Sequence, residues 1–368
     1  MVDFHEQLMG RALALARRGV GRTAPNPAVG CVIVRAGEIV GSGWHRRAGG
    51  PHAEVHALAE AGELARGADL YVTLEPCSHH GRTPPCAEAL IAAGVGRVFI
   101  GMIDPNPRVA GQGGELLRRA GIPVTVGIRE RECRRLNEPF CKHVTSGLPF
   151  VILKSALTLD GMSATAGGDS RWVTGEAARR QVHRLRSRLD AVLVGIGTVL
   201  ADDPQLTVRH VRGRDPLRVV VDSTLRIPLA AQLLNLSSAA KTVVATVCRD
   251  RDRVRAIEAC GAEVLPCRER DGRVDLADLL AQLGRRGVQS LLLEGGATLA
   301  GEALRRGMVD KCCFFYAPKL LAGAGTGLCS GPGVARMVDA LVLREMTVRR
   351  IGDDILVEGY PEGVCSRD

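Results

Sequence analysis

Short apolar runs bounded by glycine or proline, alternating with segments of helical spacing, recur along this chain and constrain what it can fold into. Val29–Val34, Asp69–Leu74, Val95–Gly101 and Val124–Val126 are four such runs in its first part, with Glu38–Gly41 as the hairpin partner of the first. Helical patterns cover 5–18, 52–65, 85–93 and 113–120. Strands alternating with helices predict a three-layered α/β domain. After a basic stretch, Arg129–Leu148, read as a helix and a connection, the alternation restarts at Phe150. Strands are expected at Phe150–Ala156, Ala191–Gly195, Arg218–Asp222, Thr242–Thr246, Val264–Pro266 and Ser290–Glu294. Helices are expected at 176–187, 254–260, 276–283 and 298–307. Lys311–Tyr316 and the stretches near 341–348 and 354–358 read as antiparallel or edge strands. A chain of 368 residues is too long for one core, so two α/β domains are predicted, 1–147 and 148–368.

Composition narrows the ligands. The net charge of +9 comes almost wholly from arginine, with five lysines among 49 basic residues. Aromatic residues are only 3% of the chain, which leaves few platforms for stacking the bases of a single strand. Small anionic ligands are therefore expected rather than nucleic acid. No apolar run approaches the roughly 20 residues needed to cross a bilayer, and the amino terminus reads as an amphipathic helix, not a signal peptide. A cytoplasmic protein with no membrane partner is expected. Twelve cysteines in so long a chain are then reduced thiols. Cys31, Cys248 and Cys260 sit among apolar or small residues and read as small hydrophobes.

Two other cysteines join a histidine. His52-Ala53-Glu54 is followed by Pro76-Cys77 and by Cys86. One imidazole and two thiolates make a three-ligand zinc set, leaving the fourth position open for water, as a catalytic site requires. His52 and Glu54 lie about 200° apart on an ideal helix, so they converge only above a helix's first turn. Pro51 before His52 fits that placement. Cys86 follows Pro84-Pro85 at another expected helix start, where free N–H groups favour a thiolate. An isolated histidine or cysteine is more often structural; the joint pattern favours one zinc ion per chain.

His52-Ala53-Glu54 with Pro76-Cys77 resembles the zinc nucleobase deaminases. In that group the second element is usually Pro-Cys-x-x-Cys, whereas here eight residues separate Cys77 from Cys86. The segment from Glu75 to Cys86 instead resembles the bifunctional riboflavin biosynthesis deaminase/reductase family, as does Thr23–Gly30. The resemblance implies that His52, Cys77 and Cys86 bind zinc, that Glu54 shuttles protons, and that Asn26, His45, His79 and Arg82 contact substrate.

In the second half, Gly323–Gly327 tempts a dinucleotide-loop reading, but no helix follows, and it is taken as a loop. Val192–Thr198 is a strand running into a small-residue turn, and Leu291–Thr298 a strand, a glycine pair and a helix start. Each suits a phosphate contact. Lys154-x-Ala156-x-x-x-Asp160-Gly161, Val199–Pro204 and Glu294-Gly295-Gly296 resemble the reductase half of the same family, which implies a dihydrofolate-reductase-like domain binding NADPH. By that resemblance Ala156, Trp172, Thr198, Asp202, Ser223 and Gly296 contact the cofactor. Ser170, Arg186, Leu206, Arg209 and Glu294 contact a phosphorylated pyrimidine, with Lys154 near the reacting sugar. It also implies a homo-oligomer. Two rivals remain at this point: a nucleic-acid base deaminase with a docking domain, and a binding module with structural zinc.

Overall fold

The computed structural model describes residues 3–78 and 84–362. It divides into two compact units, 1–147 and 148–368.

The first unit runs α1 (Phe4–Ala16), β1 (Gly30–Arg35), β2 (Glu38–Trp44), α2 (Ala53–Ala61), β3 (Asp69–Val72), α3 (Cys86–Ala93), β4 (Arg97–Ile100), α4 (Gln112–Arg119), β5 (Val124–Val126), α5 (Glu130–Leu136) and α6 (Glu138–Ser146). The described strands form one sheet in the order β2-β1-β3-β4-β5. β1 is antiparallel to β2 and β3, and β3, β4 and β5 are parallel. Alternate residues of the strands enter two separate cores, as the period of a strand requires. Ile33, Leu70 and Ile100 pack with Ala57 of α2, Leu90 of α3 and Leu117 of α4. Val32, Tyr71 and Phe99 pack with Met9 and Leu13 of α1 on the other face. α2 lies so close to β2 that a Cβ at Gly43 would strike the Ala53 carbonyl, so glycine is what lets the helix carrying Glu54 sit down on the sheet.

The second unit comprises β6 (Phe150–Thr158), β7 (Met162–Thr165), α7 (Glu176–Arg188), β8 (Ala191–Gly195), α8 (Ile196–Asp202), β9 (Leu217–Val221), β10 (Thr242–Thr246), α9 (Arg251–Ala259), β11 (Glu263–Pro266), β12 (Glu269–Arg270), β13 (Arg273–Val274), α10 (Leu276–Arg285), β14 (Ser290–Glu294), α11 (Ala297–Arg305), β15 (Lys311–Ala317), β16 (Gly325–Gly327), β17 (Leu343–Ile351) and β18 (Asp354–Pro361). Its main sheet has the order β11-β10-β9-β8-β14-β6-β15-β18-β17. Strands β11 through β15 in that order are parallel, and β18 and β17 close the edge antiparallel. Val182 of α7 and Ile257 of α9 cover one face, against Val192, Val220 and Leu292. Leu279 of α10 and Ala300 of α11 cover the other, against Leu193, Val219 and Leu293. Both units are thus α/β, and the second carries the expected mixed sheet.

Three local expectations need correction. Gly323–Gly327 is not all loop: Gly325–Gly327 is β16, paired with β7, a tertiary pairing that has no local signal. The turn expected after Gly195 is the start of α8, capped by Gly195 without a side-chain hydrogen bond, so no capping residue marks it. The connection after α5 is instead a second helix, α6, with a proline in its first turn.

Two candidate active sites

In the first unit, His52 is the N-cap of α2 and Cys86 the first residue of α3. Both helix starts therefore face the Glu75-Pro76-Cys77 turn. The donor atoms of His52, Cys77 and Cys86 lie within 4.8 Å of one another. Nδ1 of His52 is 3.2 Å from the Cys86 sulfur and 3.6 Å from that of Cys77, and the Cys86 N–H donates to the Cys77 sulfur at 3.2 Å. One soft-donor pair and one imidazole at these separations fit a tetrahedral ion with one position left over. The Cys77 thiol is held well below its ordinary range by its hydrogen bond with the Cys86 thiol, then by His52 and the Cys86 N–H. Glu54 is 3% exposed, and burial pushes its carboxyl up to about 7.

His45 is fixed as a neutral imidazole. Its Nδ1 donates to the Pro51 carbonyl at 3.0 Å, which leaves Nε2 to accept from Asn26 Nδ2 at 3.1 Å. Burial lowers its pKa. Asn26 and His45 are therefore joined to each other and to the residue preceding His52. His79 and Arg82 lie outside the described residues.

Two supports went unread in the sequence. Asn137 pairs with Ala28 like a strand neighbour: the Ala28 N–H donates to Oδ1 at 2.8 Å, and Nδ2 donates to the Ala28 carbonyl at 3.0 Å. This pins the segment carrying Asn26. The Glu75 carboxylate accepts N–H groups from Asp104, Gly111 and Gly114 at 3.2, 2.9 and 3.0 Å, which ties the turn carrying Cys77 to the start of α4. Glu75 beside Pro76-Cys77 was a visible signal; Asn137, distant in sequence, had none.

In the second unit a cavity of about 1540 Å³ opens over the carboxyl ends of the parallel strands, where open α/β sheets bind ligands. Its wall includes Ala156, Trp172, Thr198, Asp202, Ser223 and Gly296. Lys154, Ser170, Arg186, Leu206, Arg209 and Glu294 line the same cavity. Trp172 is 61% exposed, so it is not a core residue. Ser170 Oγ donates to Asp202 Oδ1 at 3.3 Å. Gly295 and Gly296 both have positive φ, 94° and 82°, and a Cβ at Gly295 would come within 3.3 Å of Thr198 Oγ1. Gly295 through Thr298, the bare turn and the start of α11, line the cavity, and a helix start with small residues suits a phosphate.

Glu294 organises the charges. Arg186 grips it through both edges of its fork, Nε to Oε1 at 2.6 Å and Nη2 to Oε2 at 2.9 Å, and Lys154 Nζ is 3.9 Å from Oε2. Burial alone would raise the Glu294 carboxyl, but the charge and hydrogen bonds of Arg186, with Lys154, hold it down to about 2. Arg186 also donates Nη1 to the Thr207 carbonyl at 3.1 Å. Its paired edge is spent inside the protein. Arg209, whose Nη1 donates to Gln205 Oε1 at 2.7 Å, has no ion pair among the described residues and is the freer cation of the two.

A hydrolytic deaminase site and a nicotinamide-dependent reductase site on separate α/β units define the class of the chain, and comparison with known proteins gives the same division. Residues 2–102 match the family described as cytidine and deoxycytidylate deaminase zinc-binding region, and residues 149–357 match the RibD C-terminal domain. Over 95% of its length the chain is 46% identical to the riboflavin biosynthesis protein RibD of Actinobacillus pleuropneumoniae, covering 93% of it. It is likewise 46% identical to that of Escherichia coli, with 95% and 97% covered. The solved structure of Acinetobacter baumannii RibD superposes with a TM-score of 0.88 at 40% identity, with 97% of this chain and 99% of that one covered. The deaminase/reductase from Thermotoga maritima gives 0.85 at 38%, with the same coverage. The chain belongs to the RibD family, the bifunctional zinc-dependent deaminases and NADPH-using reductases of riboflavin biosynthesis. No described helix is long and apolar enough to cross a membrane.

Proposed function

We propose that the first unit hydrolyses the 2-amino group of 2,5-diamino-6-(5-phosphoribosylamino)pyrimidin-4(3H)-one, releasing ammonia, and that the second reduces the ribosyl group of the deaminated product to a ribityl chain. The convergence of His52, Cys77 and Cys86 beside the buried Glu54 carries the reading of the first step. Those three residues would hold zinc, which supplies the Lewis acidity that activates a water molecule for attack on the ring carbon. Glu54 moves protons at its carboxyl, and burial puts it close to neutrality, where it both takes and gives a proton. Asn26 and the neutral His45 orient the pyrimidine through their polar edges. His79 and Arg82 complete that contact set by the family resemblance.

In the second unit, NADPH supplies the hydride. Thr198, Gly296 and the start of α11 hold its phosphates, and Ala156, Trp172, Asp202 and Ser223 complete its bed. Lys154 presents an ammonium near the reacting sugar. Burial lowers its pKa, with the Glu294 charge acting the other way. Arg209 takes the ribose phosphate. Arg186 keeps Glu294 ionised and in place, and Ser170 and Leu206 shape the rest of the substrate bed. The boundary between the two activities falls near 147, the enzyme is cytoplasmic and homo-oligomeric, and no nucleic acid takes part. The scarcity of aromatic residues, 3% of the chain, supports the last point.

The test is to supply the diaminopyrimidinone ribotide and NADPH to zinc-loaded protein and follow ammonia and nicotinamide absorbance together. Both signals are expected. Ammonia alone would remove the reductase assignment, and neither signal would return the first unit to the nucleobase deaminases at large.

A further inference from the structure

His183 precedes Arg186 by three residues on α7, so the two side chains share a helix face. It is 5% exposed, and its ring borders the same cavity. Nδ1 of His183 faces the backbone N–H of Arg209, 3.2 Å away. A neutral ring that accepts at Nδ1 carries its proton on Nε2. The groups around it oppose a second proton. Burial, then the charges of Arg186 on α7 and of His210 and Arg209 on the segment after α8, hold its pKa down to about 4, with Glu294 of β14 acting the other way. The His210 ring packs against it edge-on at 4.6 Å.

The segment it touches needs holding. Residues 205–210 form no helix or strand, and Leu206 sits at φ 55°, a left-handed conformation that is costly for a bulky side chain. Three side chains grip the backbone there, one of them Arg186, whose Nη1 donates to the Thr207 carbonyl. Asp215 Oδ1 takes the Val208 N–H at 2.7 Å, and His183 takes the next one, from Arg209.

We propose that His183 is a positioning residue of the reductase site, whose Nδ1 pins the Arg209 backbone and so sets where the guanidinium meets the substrate's phosphate. This rests on the reading of Arg209 as the phosphate contact. A doubly protonated ring would lose the acceptor and place a third cation beside Arg186 and Arg209, so the bond and the neutral ring belong together.

The test uses ribose 5-phosphate as the probe, titrated calorimetrically into the full-length zinc-loaded protein, with NADPH affinity as the control for an intact fold. Asparagine carries an acceptor at the place of Nδ1; glutamine carries its amide one bond further out. H183N is expected to keep the probe's Kd within about twofold, and H183Q to weaken it by about tenfold, the scale of one lost hydrogen bond to a positioned group. The reverse order would show that Nε2 matters instead, and equal retention would show that the ring is passive. Equal loss with NADPH affinity intact would show that ring packing, not the acceptor, is required. Each of these three overturns the proposal. If neither variant folds, imidazole nitrogen NMR of the wild-type protein decides. A neutral ring protonated on Nε2 from pH 5 to 8 is expected, and titration at the ordinary histidine value near 6.5 overturns it. R209Q separates the underlying reading: if it leaves the Kd unchanged, Arg209 is not the phosphate contact, whatever His183 does.

Discussion

Glu54 and Glu294 are both buried glutamates at the heart of a site, 3% and 7% exposed, and they are held in opposite states. Around Glu54, desolvation dominates, and the carboxyl rises to about 7. Around Glu294, desolvation is just as complete, but the paired edge of Arg186 and the ammonium of Lys154 outweigh it and the carboxyl falls to about 2. Burial therefore does not by itself set what a carboxylate can do; the neighbour does. The first arrangement suits a group that must exchange protons near neutrality, the second a fixed negative charge that holds two cations in a cavity.

The sharpest break between the two sites is E54Q. It removes the titrating group while keeping shape, and it is expected to lower ammonia release by about 10²–10⁴-fold. Reduction of the deaminated intermediate should continue at the wild-type rate, since Glu54 belongs to the first unit alone. Loss of both activities in a protein with normal zinc content and normal NADPH affinity would mean that the sites are not separate. Removing the metal with a chelator makes the same cut: deamination should vanish and return with zinc, while nicotinamide oxidation on deaminated substrate persists.

R186M tests the other half of the comparison. Stripping Arg186 from the buried pair leaves Glu294 with Lys154 alone, 3.9 Å away, at a cost of up to about 3–5 kcal/mol. Urea unfolding of the second unit should register it, and the apparent pKa of Glu294 should rise. A loss under about 1 kcal/mol, the range of exposed pairs, would mean that water reaches Glu294 and that the contrast with Glu54 is one of solvent access.

N137A is a smaller and local change. It leaves the N–H and carbonyl of Ala28 without their partner in a buried place, at about 1–3 kcal/mol. It should raise the KM for deamination through the segment carrying Asn26 and leave NADPH affinity untouched. An unchanged KM with a lowered Tm would make Asn137 purely structural.

What could be read from the sequence divides along the same physical line. Strands such as Ser290–Glu294 and Thr242–Thr246 announce themselves because their central residues are an unbroken apolar run, buried on both faces. The His52, Cys77 and Cys86 cluster was legible because prolines mark both helix starts, so residue type and position coincide. The supports were not. Asn137 acts on a backbone 109 residues away, His183 on one 26 residues away, and β16 exists only through its pairing with β7. Each is a long-range hydrogen bond made by a residue of unremarkable local context. The engagement of Arg186 with Glu294 was also hidden, because both are charged residues that a sequence reading sends outward to a ligand before it pairs them with each other.

The last effect expected is on stability against acid, and its sign follows from two buried groups of the second unit. His183 is neutral in the fold, with a pKa near 4 against about 6.5 in an unfolded chain. The unfolded state thus binds the extra proton first, and the histidine's contribution is present above pH 6.5 and lost as pH falls toward 4. Glu294, near 2 in the fold and about 4.3 unfolded, adds a second loss between those values. Stability of the second unit should therefore decline in two stages below pH 6.5, and H183N should flatten the upper stage alone. R186M should flatten or invert the lower one, because Glu294 without its partner behaves like Glu54: a buried carboxyl that prefers its proton, and so grows less costly to bury as pH falls. A lower stage that survives R186M, or an upper stage that survives H183N, would show that the fall comes from groups elsewhere on the surface.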